Sequence, residues 1–189
     1  MNSLQYRRKA IVLGLMVLIA SADFSAVSGQ DKPNESEAPI KKGLRLSAEL
    51  DGEMFKPQSV VTLKLKLENT GESPVYIYKE LGFGPAGFGM TILDASDNWV
   101  PPRIIRETFP APVLAKEDLQ AIKPGKAIEE KIRISLSNYE MVPGDYTLKI
   151  EYISPVAPSS VTRDLAVLTS DDGPLEAKAI RFKILVPSP

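Results

Sequence analysis

An all-β antiparallel sandwich of about seven strands, placed behind a cleavable export signal, is the fold class this sequence predicts. Three observations predict it. Apolar residues alternate with polar ones over run after run, the period of half-buried strands. The runs are short and are separated by turn residues, with no long helical periodicity between them. The N-terminus carries a basic cluster, a short apolar run and small residues, in that order.

Residues 1–22 read as the signal peptide. Arg7, Arg8 and Lys9 form its positive region, Ile11 to Ala20 its apolar run, and Ala20-Ser21-Ala22 its cleavage site. The apolar run is well short of the roughly 20 residues that span a bilayer, so no stable membrane insertion is expected after cleavage. Residues 23–42 are polar, contain Pro33 and Pro39, and read as a disordered leader. Residues 43–189 form the sandwich domain.

Within that domain Leu44, Leu46, Ala48 and Leu50 alternate with Arg45, Ser47 and Glu49. Val61, Leu63, Leu65 and Leu67 form the clearest strand, ended by Asn69-Thr70-Gly71. Val75 to Lys79 follows, then a glycine-rich connection from Gly82 to Gly89, then Met90 to Leu93. The turn Asp94 to Asn98 returns the chain through Trp99 and Val100. Residues 101–118 are proline-rich and mostly irregular, and Leu119 to Ile122 is short. Ile132, Ile134 and Leu136 mark another strand, Tyr146, Leu148, Ile150 and Tyr152 another, and Ile180 to Val186 the last. Lys56-Pro57 followed by Leu65 and Leu67 is echoed by Lys123-Pro124 followed by Ile132 and Ile134; the echo is too short for a duplication, but as the second and fifth strands of an immunoglobulin-like sandwich these two would be neighbours. Ser154 to Pro174 is too long for a hairpin loop. Its Arg163 to Thr169 portion reads equally as an extra strand or as a single helical turn.

Composition excludes much chemistry. With no cysteine and no histidine among 189 residues, thiol nucleophiles, zinc–thiolate sites and every Ser-His-Asp or Cys-His arrangement are ruled out. No carboxylate pair or Ser-x-x-Lys motif takes their place, so no enzyme, cofactor or metal is expected. Formal net charge is -1, and loss of the three basic N-terminal residues makes the mature chain more acidic. No nucleic-acid partner fits that balance.

Three stretches carry a resemblance. Val61 to Asn69 with Thr70-Gly71, Tyr139 through Pro143-Gly144-Asp145-Tyr146-Thr147-Leu148, and Ala179 to Val186 resemble the framework of bacterial secreted immunoglobulin-like domains. The plan is similar to that of the intracellular proteinase inhibitor type and of non-catalytic modules of exported peptidases. The resemblance covers residues 44–187 and implies an immunoglobulin-like sandwich, with Tyr146 at the place of a structural tyrosine corner. It carries over no inhibitory or ligand-binding residue.

Of the possible sites, the Gly82–Gly89 stretch lacks the Lys-Ser/Thr of a phosphate loop. Its Phe83 and Phe88 read instead as partner-docking rings on a loop tip, or as a cap on the core. Asp94, Asp97 and Asn98 read as a hairpin turn and not as a calcium loop. Tyr76, Tyr78 and Trp99 read as core packing, with a sugar-stacking face as the other option. The function expected is a secreted or periplasmic, non-enzymatic module that recognises another exported or surface protein through its loops. A carbohydrate-binding sandwich is the alternative.

Overall fold

The computed structural model describes residues 40–84, 86–103 and 113–186. The expected signal peptide, the leader up to residue 39 and residues 104–112 of the proline-rich stretch lie outside the described residues. No described helix is long and apolar enough to cross a membrane.

The strands are β1 (Ile40–Lys41), β2 (Leu44–Leu50), β3 (Met54–Phe55), β4 (Val60–Asn69), β5 (Val75–Tyr78) and β6 (Gly87–Asp94). They continue with β7 (Leu119–Ile122), β8 (Ala127–Ser135), β9 (Gly144–Ile153), β10 (Leu175–Glu176) and β11 (Ile180–Ile184). The first sheet runs β1-β2-β4-β8, antiparallel throughout. In the second, β9 lies between β6 on one side and β10 and β11 on the other, with β3 beyond β11. β5 and β7 make a separate pair. The fold is an all-β sandwich, as the alternation predicts.

Alternation decides the packing. Leu44, Leu46, Leu50, Val61, Leu63, Leu65 and Leu67 point from the first sheet into one core. Tyr146, Leu148, Ile150, Tyr152, Phe182 and Ile184 meet them from the second. Rings fill the space between, with Tyr146 stacked on Phe182 at 5.6 Å and Phe55 edge-on to Phe182 at 6.1 Å. The two echoed strands are neighbours: β4 pairs with β8, Leu65 opposite Glu130 and Leu67 opposite Ile128.

Three details differ from the sequence reading. Ile40 and Lys41, placed in the leader, already pair with Arg45 and Leu44. The turn between them is Lys42-Gly43 with φ of 48° and 76°, the pair of positive values that a two-residue hairpin needs. Second, β2 does not end the first segment: after Asp51 to Glu53 the chain changes sheets, and β3 runs parallel to the last strand. Such a change of sheet is one way a sandwich closes its corner. Third, the 154–174 segment holds the helical turn, Ser159–Thr162, and a 3-10 turn at Ser170–Asp172. Within Arg163 to Thr169 only an isolated bridge forms, from Val167 to Tyr76.

Candidate functional site

Phe83 and Phe88 part company. β6 begins at Gly87, earlier than the sequence suggests, so Phe88 takes an inward-facing strand position. It is 1% exposed and edge-on to Tyr152 at 5.8 Å. A ring in the core cannot dock a partner, and this half of the expected pair is corrected to a core residue. The loop before it is pinched shut, because the Phe88 N–H donates to the Gly82 carbonyl at 2.8 Å. Gly87 has φ of +109°, and a Cβ there would lie 2.5 Å from that same carbonyl oxygen. Only glycine fits. Phe83 remains on the loop, 41% exposed.

Tyr146 lies at the start of β9. The Val142 N–H donates to its hydroxyl at 3.0 Å, and the hydroxyl donates to the Val142 carbonyl at 2.8 Å. That is the local bonding of a tyrosine corner, four residues upstream as the motif requires. It ties the incoming loop to the core ring.

Asp94 makes a turn. Its carboxylate accepts the Ser96 and Asn98 N–H groups at 2.8 and 2.9 Å and the Asn98 side-chain amide at 3.1 Å. The hydrogen bonds from Asn98, then from Ser96, hold it below the ordinary carboxylate range. Among the described residues no three acidic side chains gather as a metal would need.

The core role given to Tyr76, Tyr78 and Trp99 is also corrected. On β5 the buried positions are Val75 and Ile77, which leaves both tyrosines half-exposed. The Tyr78 hydroxyl donates to Glu80 at 3.0 Å, and desolvation followed by that carboxylate raises its pKa. Trp99 is 58% exposed and bridges Leu93 at the edge of the second sheet. Alternation sets which residues share a face; it does not say which face is inside.

The two ends of the sandwich differ. The lower end collects the start of β2, the end of β4, the start of β8 and the end of β9. Its hub is Asn69, which is fully buried. The Asn69 amide donates to the Ser73 and Ile122 carbonyls at 2.8 and 2.7 Å and its oxygen accepts the Gly71 N–H at 2.9 Å. Beside it, Lys41 Nζ donates to the Asp172 and Pro174 carbonyls at 2.9 and 2.6 Å. Lys42 Nζ donates to the Val167 carbonyl and pairs with the Asp172 carboxylate, both at 2.8 Å. The Ser154 hydroxyl donates to the Leu168 carbonyl. Sequence reasoning saw Asn69 only as a turn residue and missed both lysines, because their partners lie over 100 positions away.

The upper end collects the end of β2, the start of β4, the end of β8, the start of β9 and the end of β11. Of the nine large apolar side chains exposed among the described residues, six lie here: Met54, Val60, Trp99, Val142, Leu185 and Val186. Met54, Glu53, Asp97, Asp145, Arg181 and Lys183 border an open groove of about 690 Å³ floored by Tyr146, Thr147 and Phe182. The chain matches no protein-family model, and no curated protein matches it.

Proposed function

We propose that the protein is an exported, non-enzymatic accessory module, an immunoglobulin-like sandwich that recognises another exported or surface protein through its upper-end loops. The observation that carries this reading is the gathering of exposed Met54, Val60, Val142 and Val186 on loops and strand ends held by a rigid sandwich. Exposed apolar groups clustered in this way mark interaction surfaces, and loops on a rigid frame are where binding residues concentrate. The absence of histidine and cysteine supports a binding role over catalysis. The basic, apolar and small-residue order of residues 1–22 supports export. Mass spectrometry of the exported protein is expected to find an N-terminus between Asp23 and Gln30. Retention of Met1 on the mature protein would count against it.

Partner capture from the envelope or secreted fraction of the native cell tests the docking end. Val142→Asp with Met54→Asp is expected to abolish capture while leaving the melting temperature nearly unchanged, since both side chains are exposed. Phe83→Ser is expected to leave capture intact. The reverse pattern would move the docking surface to the 82–87 loop. A glycan-binding reading draws on the exposed indole of Trp99 alone. Tyr76 and Tyr78 stand on the separate β5–β7 pair, so the aligned aromatic platform of a sugar-stacking face is missing among the described residues.

A further inference from the structure

Residues 165–174 lie on the body of the sandwich as a strap. β7 pairs with one edge of β5, and the strap covers the other like a short added strand. The Tyr76 N–H donates to the Ala166 carbonyl at 2.8 Å, and the Leu168 N–H donates to the Tyr76 carbonyl at 3.0 Å. Farther along the same edge the Tyr78 N–H donates to the Tyr152 hydroxyl at 3.2 Å. Under the strap Val167 and Leu168 are 1% and 0% exposed. The residues around them, from Arg163 to Pro174, are half-buried or exposed.

The strap is tied from the far end of the chain. The N-terminal hairpin pairs β1 with the start of β2 and turns through Lys42-Gly43. The Lys41 ammonium sits between the Asp172 and Pro174 carbonyls, at 2.9 and 2.6 Å. Carbonyls at the end of a helical turn lack partners within it, and a cation there makes strong hydrogen bonds. The turn is Ser170–Asp172, and the residue between the two carbonyls is Gly173, where a Cβ would stand 3.2 Å from the ammonium. Lys42 holds the other half of the strap. Its ammonium donates to the Val167 carbonyl and pairs with the Asp172 carboxylate, both at 2.8 Å. That carboxylate accepts the Thr169 N–H and hydroxyl as well. From the body of the sandwich, the Ser154 hydroxyl donates to the Leu168 carbonyl.

We propose that the N-terminal hairpin is a latch on this strap. While the hairpin is in place, the chain's own segment masks the edge of β5; when β1 is peeled away, the strap is released and that edge is bared. A bare strand edge presents unpaired N–H and carbonyl groups, which sandwiches ordinarily keep covered. The handle of the latch is the chain that precedes Ile40, joined directly to β1. A pull on it, or its removal past Lys42, acts on Tyr76 through two lysines. Without the latch the strap keeps the two Tyr76 bonds, the Ser154 bond and the burial of Val167 and Leu168. Hydrogen bonds from ammonium groups are stronger than neutral ones, so their loss shifts this local opening while the core strands stay closed.

Amide hydrogen exchange at neutral pH tests this at Tyr76 and Leu168, whose N–H groups join strap to strand. The reference is Val100, whose N–H bonds Ile92 at the upper end. Lys41→Met with Lys42→Met removes the latch and keeps the hairpin. Exchange at Tyr76 and Leu168 is expected to become at least about tenfold faster, with Val100 unchanged. Gly43→Val keeps both lysines and strains the hairpin, because φ there is +76° and a Cβ would lie 3.0 Å from the Gly71 Cα. The same acceleration is expected. Lys64→Met, on the first sheet, is expected to change nothing. Unchanged exchange at Tyr76 and Leu168 in the lysine variant would overturn the proposal. So would an equal acceleration at Val100, the mark of a general loss of stability, or an effect of the lysines that Gly43→Val does not reproduce. The result stands apart from the docking reading, since Val142→Asp with Met54→Asp is expected to lose partner capture and leave these amides as they are.

Discussion

At the lower end of the sandwich, polar side chains hold backbone carbonyls, most of them distant in the chain: buried Asn69 on Ser73 and Ile122, half-buried Lys41 on Asp172 and Pro174, and exposed Lys42 on Val167. At the upper end Asp94 bonds within its own turn, to Ser96 and Asn98, and Tyr146 bonds back to Val142, while the distant segments are joined by backbone bonds, Leu136 to Ser59 and Leu185 to Phe55. The difference teaches a division of labour. Long-range polar ties fix one end into a single arrangement, and at Ile122 the buried carbonyl would otherwise be stranded. At the other end Asp94 and Tyr146 tie their own loops and backbone bonds join the segments, which leaves apolar side chains there exposed.

The largest expected effect separates the two phenylalanines that looked alike in sequence. Phe88→Ala removes a buried ring beside Tyr152 and is expected to cost about 3 to 5 kcal/mol. Phe83→Ala, half-exposed on its loop, is expected to stay within about 0.5 kcal/mol. Urea denaturation measures both, and equal losses would show that the loop caps the core after all.

Asn69→Leu comes next. It leaves the Gly71 N–H and two carbonyls without their partner, one of them on buried Ile122, and about 3 kcal/mol is expected in the same experiment. Its upper-end counterpart, Tyr146→Phe, removes bonds at a loop that water can reach, and about 1 kcal/mol is expected. If the two cost the same, the contrast between the ends fails.

The smallest effect is in pH dependence. Burial tends to raise the Asp172 carboxyl, but the hydrogen bond from Lys42 and those from Thr169 outweigh it and hold the group below its ordinary value. A lowered folded pKa contributes stability that is present above the unfolded value, about 3.9, and is lost as pH falls through the folded one. Asp172→Asn is therefore expected to lower stability at neutral pH and to flatten its decline below about pH 4. An unchanged acid limb would place that sensitivity elsewhere.

Much of the frame was legible because strand alternation is local. The inward sets of β2, β4, β9 and β11 follow from residue spacing alone, and so does the turn at Asp94. What escaped reading depends on distant chain. Gly87 and Gly89 look like loop residues until β9 is placed beside them. Tyr76 and Tyr78 share a face in any reading, and only the position of the core decides that Val75 and Ile77 are the buried pair. Of the upper-end cluster, each member looks ordinary in its own segment; β3, two residues long, gives no periodic signal at all.

That shortest strand has a consequence for how the chain reaches its fold. Phe55 pairs with Ile184, so one of the earliest parts of the domain to be synthesised is secured by almost the last. Contacts between such distant residues form slowly, since a long loop must close before they are rewarded. The sandwich cannot be completed vectorially, segment by segment, as the polypeptide emerges. If the proposed export threads the chain unfolded through a membrane pore, this delay keeps the domain open until its C-terminal strand has arrived.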